Sequence, residues 1–143
     1  MRGTCYLAED GLGAFVETFK DPRFVHSTAV TDRALATLQT PSAMTIADCT
    51  VGEARRFGIT LEIGASDDYE LCQRWAEALA GEGFMGIRYR LRHDPRGSLI
   101  GIALFGEAGE ADWAVENSEP IPEKLIKEAE QRFGIVVVPG ILR

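Results

Sequence analysis

Two short strand-like segments, residues 87–92 and 99–105, flank the stretch Asp94-Pro95-Arg96-Gly97. An aspartate that bonds the backbone ahead of it, a proline that presets φ and a glycine that tolerates a tight bend are turn chemistry. The arrangement predicts a β-hairpin, which commits this part of the chain to antiparallel pairing. Elsewhere, helical and strand patterns alternate without a regular βαβ repeat, so the predicted fold class is α+β. The 143 residues are about one domain's worth. With 45% hydrophobic and 26% charged residues, the chain has enough apolar material to offset its ordering entropy.

Other elements follow from spacing. Residues 4–8 are a predicted strand. Leu12, Phe15, Val16 and Phe19 then repeat at helical spacing after Asp10, and Asp21-Pro22 is the expected stop. Ala34, Leu35 and Leu38 predict a second helix over 31–38, and residues 43–47 a strand. Thr50-Val51-Gly52-Glu53 has capping-box spacing, with Gly58 as the helix end. Ser66-Asp67-Asp68 opens a longer helix whose apolar stripe is Cys72, Trp75, Ala76 and Leu79. Pro122 starts a helix bearing Leu125, Ile126, Ala129 and Phe133; Gly134 ends it, and residues 135–138 form a last strand.

Several functional classes drop out. The longest aliphatic run is four residues, 135–138, far short of a membrane span, and the first residues lack an apolar signal core, so the expected setting is cytoplasmic. Lys and Arg total 15 against 22 Asp and Glu, a net charge of −7 that argues against direct nucleic-acid binding. Cys5, Cys49 and Cys72 are widely spaced and only two histidines exist, so no metal site is expected; the thiols are predicted reduced and mostly buried. Gly81-Glu82-Gly83-Phe84-Met85-Gly86 matches G-x-G-x-x-G in letters. Its predicted order is helix, glycines, strand, the reverse of a dinucleotide fingerprint, so it is expected to be a helix stop and tight turn.

What remains is carboxylate, tyrosine and arginine chemistry. Arg88, Arg90 and Arg92 alternate along the predicted strand and project from one face, about 7 Å apart per step. Such a strip needs an anionic partner. Either the protein's own acids supply it, such as those between Glu107 and Glu130, or a phosphate-bearing ligand does. Periodicity alone places Glu17 on a solvated helix face, away from the apolar stripe.

Five stretches in series resemble the RES-domain family. Tyr6-Leu7-Ala8-Glu9 with Glu17 downstream is similar to its Y-L-A-E signature. Thr45-Ile46-Ala47-Asp48-Cys49-Thr50 resembles its "laDlt" strand, and Asp68-Tyr69 through Trp75-Ala76 resembles a helix of the family. Gly86-Ile87-Arg88-Tyr89 and Ala103-Leu104-Phe105 resemble its hairpin. The resemblance implies an ADP-ribosyltransferase-like fold, a split antiparallel sheet with flanking helices. It implies the toxin of a bacterial RES–Xre toxin–antitoxin pair that degrades NAD+ by hydrolysis or phosphorolysis. NAD+ would be substrate rather than cofactor. The partners would be an Xre-type antitoxin and, in a homodimer, a second copy. Glu17 would face the nicotinamide ribose or orient the incoming water or phosphate. Tyr6 would stack on or bond near that ribose, and Arg88, Tyr89 and Arg92 would contact the pyrophosphate or adenine side.

Two departures accompany the resemblance. The family carries an arginine in a G-R-F-like stretch well upstream of the tyrosine, whereas five residues precede Tyr6 here. The expectation is a RES-like domain over 1–143 without the usual N-terminal segment. The family's serine after the hairpin tyrosine is replaced by Leu91, which offers no hydroxyl. The alternative reading is therefore a catalytically inactive RES-like module that binds nucleotide or antitoxin.

Overall fold

The structure is a computed structural model that describes residues 2–20, 24–40, 42–109 and 113–140. Its elements run β1 (Arg2–Ala8), α1 (Gly11–Thr18), β2 (Phe24–His26), α2 (Ser27–Thr31), β3 (Ala34–Gln39), β4 (Ala47–Asp48), a 3-10 helix (Gly52–Phe57), α3 (Glu62–Ala65), α4 (Tyr69–Gly81), β5 (Gly86–Arg90), β6 (Ile100–Glu107), β7 (Ala114–Pro120), α5 (Glu123–Phe133) and β8 (Val136–Val138). The α+β expectation holds. The chain forms two compact units, one of Met1–Asp10 with Ser42–Ala111, the other of Gly11–Pro41 with Asp112–Arg143.

The predicted hairpin forms the middle of the first unit. β5 and β6 pair antiparallel, β1 joins the far side of β6 antiparallel, and β4 lies parallel to β5, giving the order β1-β6-β5-β4. The buried side chains include Ile87, Tyr89, Leu91, Leu99, Ala103 and Leu104. Two glycines make room for the Tyr89 ring. Gly101 stands directly across from it, where a Cβ would come within 2.7 Å of Tyr89 Cζ, and a Cβ on Gly64 of α3 would come within 2.7 Å of Cδ2. The connecting loop is organised by Asp94, which is 5% exposed. Its carboxylate accepts from the amides of Arg96, Ser98 and Leu99 and from the Ser98 hydroxyl, at 2.6–3.0 Å.

α4 starts where expected. Asp68 caps it by accepting from the Leu71 amide at 3.0 Å. It ends at Gly81, and Gly83 follows at φ 91°, a conformation that glycine adopts without a Cβ penalty. The glycine-rich motif is thus the expected helix stop before β5. The capping box does not form. The segment is a 3-10 helix with no side-chain cap, and the Thr50 hydroxyl bonds Asp48 at 2.6 Å instead.

In the second unit, α1 buries Leu12, Phe15 and Val16, Phe19 just after it is buried too, and the rings of Phe15 and Phe19 lie 4.7 Å apart. The expected stop at Asp21-Pro22 lies outside the described residues. β2 and β8 pair parallel, and β3 and β7 pair antiparallel. Leu125 of α5 and Leu35 of β3 close on the start of α1 at Gly11. Here the structure corrects two expectations. Residues 34–39 are a strand, not part of a helix, and β7 forms where no element is predicted. In the first unit the strand predicted over 43–47 shortens to Ala47–Asp48.

Candidate functional site

β5 sorts the arginine strip by face. Ile87 and Tyr89 are buried, while Arg88 and Arg90 project from the opposite face. Arg92 lies past the strand end, in the turn, so the single file of three is shortened to two. Register then locates the remaining residue of this unit. Tyr6 pairs with Ala103, and Ala103 with Ile87, so Tyr6 shares the Ile87–Tyr89 face. Leu7 pairs with Ile102, which pairs with Arg88. The sheet thus separates Tyr6 from the Arg88 guanidinium. Tyr6 is 70% exposed, whereas Tyr89 is in the core.

Arg88 donates to three side chains of the first unit. Its Nε and Nη2 donate to the two carboxylate oxygens of Glu9 at 2.5 and 3.1 Å, a bidentate fork. Its Nη1 donates to Asp48 Oδ2 at 3.2 Å and to the Thr50 hydroxyl at 2.8 Å. The Thr50 amide and hydroxyl both donate to Asp48 Oδ1, at 2.9 and 2.6 Å. The parallel register sets Asp48 directly beside Arg88, and Glu9 is the first residue past β1, so Arg88 reaches it over β6. Burial pushes the Asp48 carboxyl up, but the Thr50 donors and the Arg88 charge outweigh it and leave its pKa lowered. The hydrogen bonds to Glu9 and the charge of the adjacent acids raise that of Arg88.

The strip finds anionic partners within the protein itself, and they include acids far from 107–130. Glu9 and Asp48 hold Arg88, and Asp67 holds Arg92 at 2.6 Å. Arg92 keeps the Asp67 carboxyl below its ordinary pKa. Arg90 donates to the carbonyls of Gly97 and Thr50. One guanidinium between two carboxylates gives the Arg88 cluster a charge of −1, which repels a pyrophosphate. In this structure Arg88 is thus engaged by the protein's own acids.

Glu17 belongs to the second unit. It is not on a solvated face: its side chain is only 28% exposed. Oε1 accepts from Lys20 Nζ at 3.0 Å. Oε2 is buried and has no hydrogen-bond partner among the described residues. A buried acceptor without a donor is costly, and a carboxylate oxygen in that state favours a cation or a hydroxyl donor.

The cysteine expectation is half right. All three thiols are free, but Cys5 is exposed and Cys49 and Cys72 are half-buried. Burial, then the Asp48 charge, pushes the Cys49 thiol up to about 11. No group of three or more metal-binding side chains is found among the described residues. No helix there is long and apolar enough to cross a membrane.

Glu9, Asp48 and Thr50 are absent from the residues singled out in the sequence, yet each stands in a stretch that carries the resemblance. The Y-L-A-E signature, the "laDlt" strand and the Gly86-Ile87-Arg88-Tyr89 hairpin meet at the Arg88 cluster. A mixed α+β chain whose signature stretches converge in this way is a domain of one defined class. The sequence model of the RES domain matches residues 1–124 of 143, and the chain belongs to the RES-domain family. That family is associated in general with toxin–antitoxin systems and with NAD+. No curated protein and no solved structure matches the chain.

Proposed function

We propose that the chain is a single RES-like domain with an ADP-ribosyltransferase-like fold that acts as a toxin by degrading NAD+. The carrying observation is the Glu17 carboxylate, whose side chain is 28% exposed and whose Oε2 has no hydrogen-bond partner among the described residues. Ribose supplies hydroxyl donors to a carboxylate in the ground state. In the transition state it supplies more. As the bond between the nicotinamide nitrogen and C1′ breaks, the electron pair leaves with neutral nicotinamide and the ribose becomes an oxocarbenium cation. A carboxylate about 4 Å from that charge gains roughly 4 kcal/mol at an effective dielectric of 20. That is about a thousandfold in rate, realised as the charge develops. Water or phosphate then bonds to C1′ and gives up its proton, leaving ADP-ribose or its 1″-phosphate.

Tyr6 is exposed on the edge strand β1, where its ring and hydroxyl are open to a ligand. The expected setting is bacterial cytoplasm, with an Xre-type antitoxin covering the site and a homodimer as the assembly. The test is NAD+ consumption followed by chromatography, with and without phosphate. Wild type is expected to release nicotinamide, and Glu17→Gln to do so about a thousandfold more slowly. Folded wild-type protein that leaves NAD+ intact in both buffers refutes the proposal.

Leu91 favours a second reading. At 1% exposure it fills the core at the place of the family's serine. A RES-like module without turnover then binds NAD+ or ADP-ribose in calorimetry and releases no nicotinamide.

A further inference from the structure

The Arg88 cluster has no part in the chemistry just described, yet it ties three separate stretches of its unit together. Arg88 on β5 and Glu9 at the end of β1 are not on neighbouring strands, because β6 lies between them. Among the described residues β1 has β6 as its sheet neighbour and ends the order, so it is an edge strand. The last pair of its ladder is Ala8 with Gly101, and the Glu9 amide adds one further bond, to the Ile100 carbonyl at 3.1 Å. The guanidinium gives both arms of its fork to Glu9 and its remaining side to Asp48 and Thr50, leaving no arm directed at solvent-borne anions.

We propose that Arg88 is a positioning residue. It clamps the end of edge strand β1 to β4 and β5 through Glu9 and Asp48, and so holds Tyr6, three residues before Glu9, in register on β6. A bidentate guanidinium–carboxylate fork constrains angle as well as distance, unlike a lysine contact. Asp48 acts on the opposite side of the guanidinium. Together with Thr50 it neutralises and orients the nitrogen that Glu9 does not reach. Any catalytic consequence rests on the NAD+-degrading reading above; the clamp itself does not.

The test uses the full chain and three variants, Arg88→Gln, Glu9→Gln and the double Arg88→Gln/Glu9→Gln, with Arg88→Lys as the conservative substitution. If Arg88 acts through Glu9, the two single variants lower kcat alike and leave KM for NAD+ within about twofold. The drop is roughly tenfold to a hundredfold, the order expected when a reacting group is displaced by about 1 Å. The double variant is no worse than either single one, and Arg88→Lys recovers only part. A tenfold rise in KM for Arg88→Gln with Glu9→Gln at wild-type values means a direct substrate contact and overturns the proposal. So do additive losses.

A wild-type chain that does not consume NAD+ refutes the proposed function and leaves the clamp to be judged by hydrogen exchange and urea unfolding. Both single variants are then expected to speed exchange of the Glu9 amide about tenfold, as the strand end opens locally. Their shifts in urea midpoint should not add in the double variant, the sign of one shared interaction. Wild-type exchange at Glu9 in Arg88→Gln, or additive midpoint shifts, overturns the clamp.

Discussion

Replacing Leu91 by serine inserts the hydroxyl that the family carries at this place, and the structure predicts a heavy loss of stability. Leu91 is 1% exposed. Its amide donates to the Leu99 carbonyl at 3.0 Å, its carbonyl accepts from the Asp94 amide at 3.2 Å, and Cδ2 lies 2.6 Å from where a Cβ on Gly101 would sit. The backbone is therefore pinned on both sides and cannot sink into the space that truncation opens. Leucine truncation at such sites costs about 2–5 kcal/mol, and a buried hydroxyl without a partner adds about 1–3 kcal/mol. A loss of roughly 4–6 kcal/mol is a large part of the stability of about 5–15 kcal/mol typical of a native protein. The assay is urea unfolding followed by fluorescence of Trp75 and Trp113, with Leu91→Ala beside Leu91→Ser. Serine should be worse than alanine by the hydroxyl's share. A loss below about 1 kcal/mol for serine, or serine equal to alanine, refutes the placement of this side chain in the core. Weak NAD+ turnover in Leu91→Ser then measures lost folding before it measures a repaired site.

The hairpin loop and the thiols give two further expectations. Burial raises the Asp94 carboxyl, but the Ser98 hydroxyl and the amides of Leu99, Arg96 and Ser98 outweigh it, so its pKa lies below the ordinary 3.8. A depressed carboxylate contributes stability that is present above its unfolded pKa and is lost as pH falls through the folded one. Asp94→Ala is expected to lose about 2–3 kcal/mol at neutral pH in urea unfolding, and below about pH 4 its stability curve should be flatter than that of wild type. With Cys49 pushed up to about 11, about one molecule in a thousand carries its thiolate at pH 8. Alkylation by iodoacetamide, mapped by mass spectrometry, should mark exposed Cys5 well before Cys49; the reverse order refutes the placement of Cys49.

The parts of the fold that were legible in the sequence have a single period and local chemistry. The α1 stripe of Leu12, Phe15, Val16 and Phe19, the Asp68 cap of α4 and the Asp94 turn are decided within a few residues of chain. β3 was not legible because its half-buried positions are Leu35 and Leu38, three apart, as in a helix. Period two breaks there because the register shifts between Thr37 and Leu38, and Glu116 on the partner strand is skipped. β7 has every residue exposed and no apolar alternation to betray it. At the candidate site, the strip's need for anions was legible in Arg88, Arg90 and Arg92. The identity of those anions was not. Glu9 and Asp48 lie 79 and 40 residues from Arg88 along the chain, and only strand register brings them to it. The buried oxygen of Glu17 was illegible for a similar reason, since helical phase describes a residue's own helix and not what covers it.

The order of strands also has a consequence for how the protein comes into being. β1 leaves the ribosome long before its partner, which runs from Ile100 to Glu107, with Arg2 opposite Glu107. At synthesis rates of about 5–20 residues per second, this strand waits roughly 5–20 s before its ladder can close. Through that interval its amides and carbonyls face solvent or whatever chaperone shields them. Folding of this sheet is therefore expected to be slow and to finish late, since distant pairing must close a long loop before any contact offsets the lost entropy. A stop codon placed just ahead of residue 100 would yield a nascent chain whose first strand never finds a mate.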